Sequence, residues 1–232
     1  MPQPWDSSNI QHSKSNAPKI AIAIPYNGKW EPEWVMKTFV PLNYFPVNWC
    51  IKAPIFCKVP SLPLARDTLV NDAIKADCDY IFFIDTDNVF ESPIDPNIAL
   101  NMLYQCMINN KDAKIVSGLY RAKQPIGFTY AMWMNASKND NKHFVPIQSW
   151  TGNWIQADVI GMGCCLIDIQ VFKNTPRPWF HWEISGEMSE DFYFCQKAAK
   201  AGYMTRVFTD VKLSHLGNLK VKVDGTIVTP DM

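Results

Sequence analysis

The segment YIFFIDTDNVF (80–90) drives an apolar, strand-like run straight into Asp85-Thr86-Asp87. Side chains alternate along a strand, so the two carboxylates share a face, with Cβ atoms roughly 6.5–7 Å apart if the backbone stays extended. At the carboxyl end of such a strand they are hard oxygen ligands suited to Mg²⁺ or Mn²⁺, with phosphate oxygens completing the shell. A second acidic pair, Glu190-Asp191, follows Ser189 at a helix-start pattern, where the macrodipole favours anions. His215 closes a later apolar strand pattern and, as a neutral imidazole, can ligate a metal. Each group also has a plainer use. Aspartates cap strand-ending turns, acidic residues populate first helical turns, and a lone histidine is often structural.

The elements that must position these groups are legible as an alternation. KIAIAIPYNG (19–28) is a β-branched run closed by Pro25 and Asn27-Gly28, and reads as the first strand. Leu69, Val70, Ala73 and Ile74 have helical spacing ahead of the strand Tyr80–Ile84. Leu100, Leu103, Tyr104 and Met107 repeat the pattern before a third strand, KIVSGLY (114–120). Strand, helix, strand, helix, strand favours a parallel α/β sheet. GFTYAMWMN and HFVPIQSW then flank a polar turn, which predicts an antiparallel excursion and a second, smaller sheet. ADVIGMGCCLIDIQVF reads as a core strand broken by Gly161 and Gly163, SEDFYFCQKAAKAGY as a helix with Ser189 at its N-cap, and TRVFTDVKLSHLG as the last strand. Asp224-Gly225 between alternating residues signals a C-terminal hairpin. These divisions give a polar N-terminal tail (1–17), one domain (18–217) and a C-terminal hairpin or extension (218–232).

Composition limits the partners. Of 232 residues, 47% are hydrophobic and 13% aromatic, enough for a substantial core. Twenty-two basic residues balance twenty-two acidic ones, so no global field draws the chain to nucleic acid or an anionic membrane. No apolar run approaches the roughly 18–20 residues a bilayer requires, and a cytoplasmic location is expected. Seven cysteines without C-x-x-C spacing read as reduced core thiols, although Asn135-Ala136-Ser137 matches a glycosylation acceptor. His12, His143 and His181 carry no motif.

Taken in order, IAIAIPYNG, ARDTLVNDAIKADCDYIFFIDTDNVF, IVSGLYRAKQP, GMGCCLIDIQVF and SEDFYFCQKAAKAGYMTRVFTDVKLSHLG resemble the GT-A glycosyltransferases, particularly small proteins near glycosyltransferase family 2. The resemblance implies a GT-A fold: a Rossmann-like, mainly parallel sheet flanked by helices, with a small antiparallel sheet. It makes Asp85-Thr86-Asp87 the D-x-D motif holding Mn²⁺ or Mg²⁺ against the diphosphate of a nucleotide sugar, with His215 as a further metal ligand. Asp191 becomes the general base on the acceptor hydroxyl in an inverting, hexosyltransferase-type reaction, and Glu190 a supporting or acceptor-binding group. As a first-turn residue Asp191 is expected to be held ionised by the helix dipole. Pro25, Tyr26 and Asn27 fall where the family seats the base and ribose. Arg66 matches a basic residue that faces the nucleotide, or else belongs to a solvent-exposed first turn; Asp67 follows it. Gly161 and Gly163 permit close backbone approach beside the donor sugar, or mark a strand bulge. Arg121 and Lys123 can neutralise phosphate, and Trp179, Phe180 and Trp182 can form an acceptor-stacking platform. The acceptor hydroxyl belongs to a glycan, lipid or protein. Alternatives are a nucleotidyltransferase of related fold and a noncatalytic nucleotide- or carbohydrate-binding module.

Overall fold

The computed structural model describes residues 18–26, 28–42, 50–57, 61–122, 129–137, 143–182, 188–217 and 220–228. Asn27, Lys123, His12 and the tail 1–17 therefore lie outside the described residues.

The β-branched run at the start forms β1 (Lys19–Pro25), followed by α1 (Pro32–Trp34), a π-helical turn (Val35–Phe39), α2 (Val40–Leu42) and β2 (Cys50–Cys57). The chain continues through α3 (Leu62–Lys75), β3 (Tyr80–Ile84), β4 (Asn88–Phe90), α4 (Pro96–Asn109) and β5 (Ala113–Leu119). β6 (Met132–Asn135), β7 (Phe144–Pro146), β8 (Trp154–Ala157), β9 (Val159–Ile160) and β10 (Cys164–Asp168) lead to α5 (Ile169–Asn174) and α6 (Glu190–Lys200). β11 (Met204–His215), β12 (Lys220–Val221) and β13 (Ile227–Val228) complete the described chain.

The main sheet has the order β13-β12-β11-β5-β10-β3-β1-β2, with β4 and β8 also paired to β11. β1 is parallel to β2 and to β3, and β5 is parallel to β11. β10 lies antiparallel between β3 and β5. β1, β2, β3, β5 and β11 thus run the same way, β4, β8, β10 and β12 run against them, and the carboxyl ends of β1, β3, β5 and β11 meet the amino end of β10 at one rim. β6 pairs with β7 and β9 in the expected smaller antiparallel sheet. Together these make a Rossmann-like α/β fold of GT-A type.

Alternation along the strands divides the core in two. Ala21, Ala23, Ile81 and Phe83 pack with Leu69, Val70, Phe172 and Phe194. Ile20, Ile22, Phe82 and Ile84 pack with Leu100, Leu103 and Trp34. Each face thereby receives its own layer of helices. Of the cysteines, Cys57, Cys78, Cys164, Cys165 and Cys195 are buried free thiols and Cys106 is half-buried and free. Among the described residues no helix is long and apolar enough to cross a membrane.

Two sequence expectations change. The core strand through Gly161 and Gly163 is really two short strands in different sheets, β9 and β10, separated at the glycines. Its continuation Ile169–Asn174 is helical because Asp168 caps it, accepting the Gln170 N–H at 2.9 Å. The C-terminal hairpin extends the main sheet through β11, with Gly225 at φ +90 in its turn.

Candidate active site

The rim of the sheet gathers residues from distant parts of the chain. β3 delivers Asp85 one residue past Ile84, where its N–H donates to the Gly163 carbonyl at 3.0 Å. Asn88 N–H then turns back to the Asp85 carbonyl at 3.2 Å and opens β4, which pairs with the end of β11 so that Asn88 faces His215. α6 begins at Glu190, following Ser189 at the N-cap position, although the serine side chain makes no capping bond. The helix start is thus presented to the same rim as the strand end.

Arg66 on α3 ties the two acidic pairs together. It is 1% exposed, yet it is neither in solvent nor on an open helix face as its first-turn position suggested. Its Nη2 donates to Asp85 Oδ2 at 3.1 Å and its Nε to Glu190 Oε1 at 3.4 Å, while Asp191 Oδ1 stands 4.0 Å from Nε. The guanidinium also lies 5.3 Å from the Phe83 ring centroid. Burial opposes its charge, but Asp85, Asp191 and Glu190 more than compensate and hold it firmly protonated. Three carboxylates, Asp85, Glu190 and Asp191, lie within 4.0 Å of this permanent cation. Several buried polar atoms there lack a hydrogen-bond partner: Arg66 Nη1, Asp85 Oδ1, Asn88 Oδ1 and Asp191 Oδ1.

Asp191 departs from its expected electrostatics. Its Oδ2 accepts the Met162 N–H at 3.3 Å. Burial, then the neighbouring Glu190 charge, push its carboxyl well above the usual range, with Asp85 adding to the rise; Arg66 and the Met162 N–H oppose it. Desolvation and like charge thus overwhelm the helix dipole that was expected to keep it ionised. Asp85 is likewise raised, first by burial, with Arg66 opposing and Asp87 reinforcing. Glu190 has both oxygens engaged, Oε1 by Arg66 and Oε2 by Trp182 Nε1 at 2.8 Å.

The three residues expected to hold a metal do not converge as one set. Among the described residues no group of three or more His, Cys, Asp or Glu side chains is close enough to hold an ion. Asp85 turns toward Arg66, whereas Asp87 Oδ2 and His215 Nε2 stand 3.4 Å apart. His215 Nδ1 lies 2.8 Å from the Arg121 carbonyl, which can only accept, so Nδ1 bears a proton and Nε2 faces Asp87. The 3.4 Å separation suits either an imidazolium–carboxylate pair or, with Nε2 unprotonated, two ligands of one cation. The Asp87–His215 pair fits a hard divalent ion that keeps water and phosphate oxygens in its shell, and the backbone carbonyl behind His215 orients the ring as an outer partner would.

Other expected residues sort differently. Tyr26 is half-buried with its ring 4.7 Å from Trp30, which is 39% exposed; Pro25 ends β1 beside it. A Cβ on Gly161 would stand 2.2 Å from Tyr120 Oη, and one on Gly163 2.5 Å from Asn88 Nδ2. The chain's own side chains therefore require both glycines, and Gly163 N–H also donates to Tyr120 Oη at 2.8 Å. Arg121 is committed to the C-terminal hairpin, donating to the Val223 carbonyl at 2.9 Å and lying over the Tyr130 ring. Trp179 and Phe180 are core residues: Trp179 Nε1 donates to the Phe172 and Thr175 carbonyls, and Phe180 stacks on Phe194. Only Trp182 of that aromatic trio is exposed. Asp67 accepts the Phe180 N–H at 3.1 Å, anchoring the segment that carries all three. Sequence reasoning missed Tyr120 and Asn88, whose packing against distant glycines leaves no local pattern.

No family model matches the chain, and no curated protein does. Among solved structures it is similar to the crystal structure of A197 from STIV, at TM-score 0.63 and 17% identity over 93% of this chain and 95% of that one. A looser alignment, at TM-score 0.43 and 12% identity, covers 83% of this chain and 89% of the structure of CMP:2-keto-3-deoxy-manno-octonic acid synthetase complexed with CTP. The likeness to A197 is one of fold, and it extends over nearly the whole of both chains: the protein has a GT-A-like α/β fold.

Proposed function

We propose that the protein transfers a sugar from a nucleotide diphosphate sugar to a hydroxyl acceptor, with inversion, using a divalent cation such as Mn²⁺ or Mg²⁺. The observation that carries this reading is the meeting of the Asp85–Asp87 strand end and the Glu190–Asp191 helix start around buried Arg66. Asp87 and His215 would hold the cation. A bound cation supplies Lewis-acid stabilisation of the leaving diphosphate and cancels negative charge that raises the neighbouring carboxyls. Asp191 accepts the acceptor proton through Oδ1, its Oδ2 being held by the Met162 N–H. Arg66 and Glu190 fix the position of that carboxylate; Glu190, with both oxygens taken, is a positioning residue. Tyr26 and Trp30 offer aromatic faces beyond β1 for the nucleotide base.

The test is a thermal-shift panel of UDP-, GDP- and dTDP-sugars with and without Mn²⁺, because a ligand that binds only the folded state raises apparent stability. One nucleotide sugar should stabilise the wild type in Mn²⁺ only, and Asp87→Ala or His215→Ala should weaken that response. Equal shifts in EDTA and Mn²⁺, or no shift with any donor, refute the reading. A shift with a nucleoside triphosphate alone points instead to nucleotidyl transfer.

A further inference from the structure

Glu190 is 4% exposed, and each of its oxygens is already engaged inside the protein, one by Arg66 Nε and one by Trp182 Nε1. Its indole partner is different: Trp182 is 48% exposed, although its N–H is fixed 2.8 Å from a buried carboxylate. The chain leading to it is pinned at successive residues. Trp179 and Phe180 are in the core, the Phe180 N–H is held by Asp67, and the His181 ring meets Tyr193 edge-on at 5.5 Å. An indole secured at its polar edge and open to water elsewhere is a flat apolar surface with few torsions left to freeze on binding. The carboxylate that secures it immediately precedes Asp191 in the chain.

Resting on the transfer reading above, we propose that Trp182 is the acceptor platform and that the acceptor is a pyranose sugar of a glycan. A pyranose has one face of C–H bonds and a rim of hydroxyls. The C–H face complements the electron-rich face of the indole, and the hydroxyl rim complements the Asp191 carboxylate that follows Glu190. An acyl chain would place hydrocarbon against that carboxylate, and a peptide aromatic ring would stack without supplying hydroxyl donors to it. The platform role thus passes from the three-residue aromatic cluster to its one exposed member.

The test uses the full chain and four probes, the methyl pyranosides of glucose, galactose, mannose and N-acetylglucosamine. Octanol and a serine peptide stand for lipid and protein acceptors, and binding is read by saturation-transfer NMR and tryptophan fluorescence. At least one pyranoside should bind the wild type, with affinity roughly tenfold weaker in Trp182→Ala and a smaller loss in Trp182→Phe, which retains a ring. Urea midpoints accompany each variant, and Trp182→Phe decides the matter if the alanine variant does not fold. Pyranoside affinity indifferent to both substitutions, no pyranoside binding to the wild type, or Trp182-dependent binding of octanol or peptide alone overturns the proposal. The two readings fail separately. A nucleotide-sugar thermal shift without pyranoside binding removes the platform only; Trp182-dependent pyranoside binding without any nucleotide-sugar shift keeps the platform and removes the transfer reaction.

Discussion

Replacing Arg66 with methionine tests the feature on which the site is built. Methionine matches much of the side-chain volume, so the substitution removes the charge with little loss of packing against Phe83. It leaves Asp85 and Glu190 without the guanidinium that stands 3.1 and 3.4 Å away, and Asp191 without its nearest cation at 4.0 Å. Removing one partner of a buried ion pair costs about 3–5 kcal/mol, because the remaining charge stays desolvated. For a chain of this size that is a fall of roughly 6–20 °C in melting temperature. The deficit also has a pH signature. Asp85 and Asp191 already have raised carboxyls, and losing Arg66, which opposes both rises, raises them further. Native carboxyls raised above their unfolded values bind protons more tightly in the native state, so stability is lost as pH rises through the raised values. The penalty of Arg66→Met should therefore be largest at neutral pH and shrink toward pH 4. Urea unfolding of both proteins in EDTA at several pH values measures it. A penalty under about 1 kcal/mol at neutral pH, or one independent of pH, would show that the guanidinium is not neutralising this cluster.

Asp191→Asn should retain donor binding and lose transfer by roughly 10² to 10⁴, since the amide has nearly the same shape but cannot take the proton. In the metal-free protein the same change removes a carboxyl raised by burial and Glu190, so its stability relative to wild type should improve as pH rises above the ordinary carboxylate range; parallel pH profiles would count against the burial effect. Gly161→Ala places a methyl 2.2 Å from Tyr120 Oη and 3.1 Å from Ala131 Cβ, and should cost about 1–3 kcal/mol by overpacking. Adding Tyr120→Phe should recover part of that loss, and strictly additive effects in a double-mutant cycle would refute the contact.

Local patterns carried the strand end at Asp85 and the helix start at Glu190, because alternation, apolar runs and turn residues are properties of short windows. The β1, α3, β3, α4 and β5 order followed from the same windows. Arg66 did not, since its partner Glu190 lies 124 positions away and nothing within α3 marks one arginine as buried. The segment around Trp179 misled for a related reason. Its three aromatics read as one acceptor platform, but irregular chain has no period from which side-chain direction can be read, and two of the three turn into the core.

The reversed direction of β10 has the widest consequence. Strand direction is set by pairing, and β10 pairs antiparallel with both β3 and β5, placing Cys164 opposite Ile84. Its amino end, not its carboxyl end, therefore reaches the rim that carries Asp85 and Glu190. Gly161, Met162 and Gly163 precede that end, which brings the Gly163 carbonyl to Asp85 and the Met162 N–H to Asp191. Had β10 run parallel, the same three residues would lie at the opposite rim and neither bond could form. The pair Gly161 and Gly163 thus acquires its meaning from topology: two glycines let the chain pass close to Tyr120 and Asn88 while the residue between them supplies a backbone donor to the proposed base.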